Sequence, residues 1–424
     1  MTDPIQRILT VVYSLEKGGT QRAAQNFAEG YQANGLDSRV LYTREDGLRR
    51  GELEAAGLPV YCLLDSADRI SLLQWQPQLV HLHSHLLTLA EFELIERSFP
   101  AARMVETNVF SIPSPWAGRL QLSLQLAQWC LWRYMRRAGA ACPVSVVPYP
   151  VKIAAFTRSA EHARRDFRAT QGLQPDDILL GRIGQSFDGK WSPLLIDTFN
   201  RLRRQHPRLR LLVVNPPPAI LRGIARSRWR EDIVVIDRIE GDAALCDCYS
   251  AIDIFVAISD LGESFGMVLA EEQLCETPVV TFATPWQDNS QIEVVADGVG
   301  GAVVATRRAL EAALQELIDD PGLRQKLGRQ GRAHIAAAYD HRSVARLALA
   351  ATTPPLEAPA TPETLQMMKR VRGSLDPVSR WLLQRQRGLA WLRYTTGYEP
   401  WRRLPGRLLR KFYRRLRADD GSSH

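Results

Sequence analysis

Short apolar, β-branched runs recur along the first third of the chain, at Ile8 to Val12, Arg39 to Tyr42, Val60 to Leu63, Leu79 to Leu82 and Met104 to Val105. Helical stretches separate them, and this alternation predicts βαβ units around a parallel sheet buried on both faces. A helix is expected from Leu120 to Arg137, then a strand at Val144 to Val147 and a turn at Pro148, Tyr149 and Pro150 where the chain leaves the first domain. The pattern restarts at Ile178 to Leu180 and continues through Leu211 to Val214, Ile233 to Ile236, Ile252 to Ala257, Val279 to Phe282 and Ala302 to Val304. Helical periodicity from Arg307 to Ala338 closes it. The expected class is α/β, with two Rossmann-like, doubly wound domains at residues 1–150 and 151–351.

Four prolines between Thr352 and Pro362 mark a stiff linker, 352–365, and a basic helical extension is expected over 366–424. There Pro405 can open a helix with Leu408, Leu409, Phe412, Tyr413 and Leu416 on one face and Arg407, Arg410, Lys411, Arg414, Arg415 and Arg417 on the other. Lys369 to Arg417 holds fifteen Lys or Arg against Asp376 and Glu399, so the formal charge of +8 belongs to this tail and the rest is slightly acidic. Such a helix suits an anionic bilayer surface or nucleic-acid phosphates, or packs back on the body with its arginines solvated.

A length of 424 residues with 45% hydrophobic and 24% charged positions fits two globular cores and excludes whole-chain disorder. Cysteines at 62, 130, 142, 246, 248 and 275 show neither zinc spacing nor disulfide density, which points to a reducing cytoplasm. Ile8 to Leu15 is too short to span a membrane and lacks a signal-peptide layout.

Chemistry concentrates in Gly262-Glu263-Ser264-Phe265-Gly266-Met267-Val268-Leu269-Ala270-Glu271, directly after a strand. A strand, a small-residue turn and a helix present backbone N–H groups and the positive helix end at the sheet edge, which is an anion site. Glu263 would precede that helix and Glu271 lie within it, about 12 Å further along and within about 80° of the same face. As an isolated pair they could equally be a capping acid and a surface acid. Two carboxylates beside an anion are costly unless hydroxyl groups hydrogen-bond to them.

Gly181-Arg182-Ile183-Gly184 and Lys190 add cations near the first strand of the second domain, with Lys190 readable also as a solvated loop lysine. Lys17-Gly18-Gly19-Thr20 and Arg22 lie between the opening strand and a helix, where the glycines let backbone approach a ligand closely. His81, His83 and His85 alternate at a strand end without the carboxylates or cysteines of a metal site, so no metal is assigned.

The Glu263 to Glu271 stretch resembles the E-x(7)-E signature of the retaining GT-B glycosyltransferases of family 4, the glycosyl transferases group 1 type. The likeness runs from residue 7 to about 345 and is strongest over 252–300, where Glu293-Val294-Val295 with Asp297-Gly298 is also similar to a family run. It implies two domains facing a cleft, a nucleotide-diphosphate sugar as donor, no cofactor and no essential metal. Glu263 would hold donor-sugar hydroxyls, Glu271 the ribose, Arg182 and Lys190 the leaving diphosphate, and Gly18, Gly19, Ser264, Phe265 and Gly266 would contact the donor. The implied product is a cell-surface glycan or glycolipid built on a glycan or lipid-linked acceptor, which favours membrane over nucleic acid as partner of the tail and a place on the inner membrane face.

The sequence departs from the family in four places, one of them the stretch between Gly139 and Val151, which looks shorter than usual. Gln185 to Gly189 lengthens the interval between Arg182 and Lys190, Asn215-Pro216-Pro217-Pro218 replaces a glycine-rich turn, and Asn108 stands where members often carry a histidine. Asn108 can hydrogen-bond substrate but cannot take a proton, leaving Glu106 or a cleft histidine for that task. These departures motivate an alternative: a catalytically silent protein that binds a sugar nucleotide or a partner protein at the membrane.

Overall fold

The computed structural model describes residues 4–138, 142–284 and 287–352. The proline-rich linker beyond Thr352 and the basic extension 366–424, with their membrane and nucleic-acid readings, lie outside the described residues. No helix among the described residues is long and apolar enough to cross a membrane.

The first domain has strands β1 (Arg7–Ser14), β2 (Asp37–Glu45), β3 (Val60–Cys62), β4 (Leu79–His83), β5 (Arg103–Asn108), β6 (Leu122–Gln125) and β7 (Val144–Val146). They form one parallel sheet in the order β3-β2-β1-β4-β5-β6-β7. The second has β8 (Ile178–Ile183), β9 (Leu209–Val214), β10 (Ile233–Ile236), β11 (Ile254–Ala257), β12 (Gly262–Glu263), β13 (Val279–Phe282), β14 (Asp288–Asn289) and β15 (Gly301–Val304). Its main sheet is parallel in the order β10-β9-β8-β11-β13-β15, and β12 pairs with β14 apart from it. Both sheets are buried on both faces, as at the adjacent pairs Ile8 and Leu9, Leu79 and Val80 in one and Leu179 and Leu180, Leu211 and Leu212, Val279 and Val280 in the other. This two-sided burial is why the strands read as unbroken apolar runs.

The helix expected from Leu120 to Arg137 is a strand followed by a helix, β6 and Gln128–Ala138. Leu122 to Gln125 is buried throughout, and the Ser123 hydroxyl donates to the buried Glu106 carboxylate at 2.8 Å. Pairing with β5 and β7 satisfies the backbone of this strand, and Glu106 on β5 accepts from the Ser123 hydroxyl that a helical reading would have turned to solvent. Gln128–Ala138 reaches into the second domain: the backbone N–H groups of Gln128 and Trp129 donate to Glu293 at 3.0 and 2.9 Å, and Trp129 joins the second core. A carboxylate at the first turn of a helix is where the helix dipole favours it.

The chain crosses between domains twice. Pro148 to Val151 leads out, and the helix His341–Ala351 returns to pack on Gly19–Ala33 of the first domain, where the Asn34 side chain donates to the Arg342 carbonyl at 2.9 Å. The last helix of the segment 151–351 therefore lies against the first domain although it follows the second in sequence.

Candidate functional site

In an open parallel sheet, ligands bind beyond the carboxyl ends of the strands, where the strand order reverses. Those points are β1 beside β4 in the first domain and β8 beside β11 in the second, and they face each other across a cleft of about 600 Å³. Gly18, Gly19, Arg182, Lys190, Glu263, Ser264, Phe265, Gly266 and Glu271 all line it. Gly19 is so close to the opposite wall that a Cβ there would meet Met267 Cγ at 3.6 Å.

Glu263 owes its position to two turns that need positive φ, Gly262 at 70° and Gly266 at 88°. The first lets β12 pair with β14, where the Ser290 N–H donates to the Glu263 carbonyl at 2.9 Å and the Glu263 N–H to Gln291 at 3.2 Å. The second opens the helix Met267–Leu274, whose first residues face the cleft. A side chain on Gly266 would press on Leu269 Cδ1 at 2.7 Å in addition to the backbone cost of a left-handed residue. Glu271 lies further along this helix, and its Oε2 accepts from the Tyr249 hydroxyl at 2.9 Å.

The long segment between Arg182 and Lys190 folds back on itself rather than hanging in solvent. Trp191 Nε1 donates to the Gln185 carbonyl at 2.8 Å, and the Leu261 N–H donates to Gly189 at 2.9 Å. Lys190 ends a short 3-10 turn, Asp188–Lys190, with Nζ 2.6 Å from Glu263 Oε2. Arg182 Nη2 donates to the Lys190 carbonyl at 2.7 Å and Nη1 to the Ile183 carbonyl at 3.2 Å, leaving a buried Nε with no partner. Burial pulls its guanidinium below the usual range and the Glu263 charge pulls it back. The result is a buried arginine and a half-buried lysine beside a helix N-terminus, suited to a polyanion, with two carboxylates placed for hydroxyl groups.

Asn108 is turned away from this cleft. It is buried, its Nδ2 donates to the Ile112 carbonyl at 2.7 Å and to Glu106 at 3.2 Å, and its Oδ1 accepts from the Ile112 N–H at 3.3 Å. Closing that turn occupies the amide, and Val109 and Phe110 line the cleft instead. Glu106 is equally remote, and burial raises its carboxyl above the ordinary range. His81 and His83 are buried in the sheet, so the histidine at the cleft is His85, in edge contact with Phe110 at 5.0 Å. Burial lowers His85, which keeps the imidazole neutral and able to accept a proton. Among the described residues no group of three His, Cys, Asp or Glu is arranged to hold a metal ion.

Several further residues reach the cleft whose partners no short motif gives. Asn215, at φ 57°, opens the proline turn and donates through Nδ2 to the Gly184 carbonyl at 3.1 Å. Arg22 and Tyr249 meet at Glu271, and Asp242, on the same helix as Tyr249, pairs with the far end of Arg22. Position alone could have marked them, since each lies in or just after a segment that follows a strand.

Behind Glu271, Glu272 is fully buried with no hydrogen bond to either carboxylate oxygen. Burial, and then the charge of Glu271, holds its carboxyl well above the ordinary value of 4.5. The native state therefore keeps a proton that the unfolded chain releases, so this group's contribution to stability falls as pH rises above that value. Melting curves between about pH 5 and pH 8 are expected to show a smaller decline for Glu272→Gln than for the wild type; equal declines would mean that the carboxyl is not protonated in the fold.

Comparison with known proteins adds to this geometry. Residues 163–334 match the family described as glycosyl transferases group 1. The D-inositol 3-phosphate glycosyltransferase of Actinosynnema mirum is 34% identical over 210 residues, 46% of this chain and 48% of that protein. The chain thus spans about half the length of the curated relatives it matches. Among solved structures, HepE of Anabaena in complex with UDP-glucose superposes with a TM-score of 0.66 at 18% identity, covering 81% of this chain and 98% of that one. WaaG, a glycosyltransferase involved in lipopolysaccharide biosynthesis, gives 0.59 at 16% identity, covering 82% and 100%. At such identities the likeness establishes the fold: two Rossmann-like domains in the GT-B arrangement.

Proposed function

We propose that this chain, whose residues 163–334 match the glycosyl transferases group 1 family, transfers a sugar from a nucleoside-diphosphate sugar to an acceptor held on the first domain, with retention of configuration. The observation that carries the reading is the convergence of Arg182, Lys190 and Glu263 on one helix N-terminus at the meeting of two switch points. The diphosphate would lie at the mouth of Met267–Leu274 and the nucleoside toward Glu271. As the bond from the anomeric carbon to the diphosphate breaks, the leaving oxygens gain charge, and Arg182 and Lys190 stabilise it. The acceptor oxygen bonds the same face of the carbon, and its proton passes to the departing diphosphate. The rest is positioning.

HepE in its complex holds UDP-glucose, which makes a uridine diphosphate sugar the first donor to try. The acceptor falls in the class of polyols, glycans and lipid-linked glycans, met at the inner face of a membrane. One test uses nucleoside diphosphates in a thermal-shift screen, then the matching nucleotide sugars in a release assay. One nucleotide is expected to raise the melting temperature, a ligand at 100 times its Kd adding about 2.7 kcal/mol, and its sugar derivative to turn over in wild type but not in Glu263→Ala. Binding without turnover across a broad acceptor panel would favour the silent protein, for which the inward-turned Asn108 speaks. No stabilisation by any nucleotide would reject both.

A further inference from the structure

One first-domain side chain reaches the acid expected to hold the ribose. Arg22, on the helix Gly19–Ala33, extends across the cleft so that Nη1 and Nη2 donate to the two oxygens of Asp242 at 3.2 and 2.6 Å, while Nε lies 3.4 Å from Glu271 Oε1. Its guanidinium stacks over the ring of Phe156 at 5.2 Å. Burial alone would lower the Arg22 guanidinium, but the charges of Glu271 and Asp242 outweigh it and raise the group above its ordinary value, so the cation is firmly held. Behind it stands Arg49, buried, with an unpartnered Nε, and pulled down to about 10 by burial and by the charge of Arg22. Arg22 thus has a cation at its back and two carboxylates before it.

The consequence falls on Glu271. One of its oxygens is held from the first domain by Arg22 and the other from the second by Tyr249, at 3.4 and 2.9 Å. Tyr249 hydrogen-bonds to one oxygen and Arg22 faces the other as an ion pair, so each oxygen keeps an acceptor site. With both oxygens pinned, the remaining sites point in fixed directions, side by side, as a vicinal diol requires. A lysine could meet one of the two acids; the planar fork of arginine meets both.

We propose that Arg22 is a positioning residue for donor recognition: it aligns Glu271 for the vicinal hydroxyls of the donor's ribose, and it does so only when the two domains are together. The inference rests on the nucleotide-sugar reading. It makes the first domain a reader of the donor as well as the holder of the acceptor, since the ribose site is complete only with a side chain from each half.

The experiment uses the full chain and measures binding of UDP, GDP and ADP beside their 2′-deoxy forms to wild type, Arg22→Met, Arg22→Lys and Glu271→Ala. Wild type is expected to prefer the ribonucleotide by about 10-fold or more, the worth of a charge-assisted hydrogen bond. Arg22→Met is expected to erase most of that preference while leaving the 2′-deoxy form bound as before, and Arg22→Lys to restore part of it. With a turned-over donor, KM is expected to rise about 10-fold with kcat nearly unchanged. If Glu271→Ala loses the ribose preference and Arg22→Met keeps it, the inference fails and the nucleotide-sugar reading stands. Equal weakening of both nucleotide forms in Arg22→Met, together with a lower melting temperature, would mean a structural brace and would likewise overturn it. A wild type that binds none of the nucleotides overturns both readings.

Discussion

Arg182→Met is expected to lower kcat by about 10²–10³-fold, about 3–4 kcal/mol of transition-state stabilisation, with a smaller change in KM. Two effects combine. The buried cation proposed to meet the leaving diphosphate disappears, and the Lys190 carbonyl loses the Nη2 donor 2.7 Å away, which releases the turn that carries Lys190 to Glu263. Lys190→Met removes the second cation but leaves the turn, so its loss should be smaller. The double variant should lose less than the sum, because the two residues share one contact. Steady-state kinetics of the three proteins decide it: a kcat within a few-fold of wild type for Arg182→Met would remove this arginine from the chemistry, since an interaction made in the transition state has to appear in kcat.

Acidification is expected to destabilise the first domain through its two inner histidines. His81 accepts or donates at both ring nitrogens, to Tyr31 at 2.9 Å and Thr107 at 2.7 Å, and packs edge-on against Phe27 at 4.7 Å. Burial lowers it from 6.5 to about 3, and burial with the neighbouring His81 carries His83 well below its ordinary value. Both stay neutral in the fold while the unfolded chain takes up protons below 6.5. Stability contributed by the neutral rings is therefore full above that pH and drains away as pH falls toward the folded value. From His81 alone the loss between pH 6.5 and pH 5 is about 2 kcal/mol, a large share of the roughly 5–15 kcal/mol that holds a domain together. Urea unfolding at the two pH values measures it. His81→Gln should be less stable than wild type near neutrality yet lose less on acidification; an equal change in the two proteins would show that the ring is protonated in place. The slope opposes that of Glu272, so the optimum lies between the two.

Much of the architecture was legible because a parallel sheet covered on both sides leaves apolar runs that no solvent face interrupts. The acid pair was legible too, since Glu263 and Glu271 share one turn and helix and their spacing survives in one short stretch. Leu122 to Gln125 was not, because its polar residues are buried against Glu106 and the sequence does not say that a neighbouring strand will satisfy them. Asn108 was misplaced for a similar reason: the Ile112 backbone that occupies its amide is close in sequence, but only the fold brings the turn about. Arg22 lay furthest out of reach, with its Asp242 partner 220 residues away.

The two interdomain passages run edge to edge, with the Val151 N–H donating to the Tyr339 carbonyl at 2.7 Å and the His341 N–H to the Val151 carbonyl at 3.0 Å. A lone strand is a swivel, whereas two strands stitched together flex as a strap, easily in one plane and poorly in torsion. Tied together in this way, the joint between the halves resists twisting, which favours the register that sets the glycine turn opposite Met267.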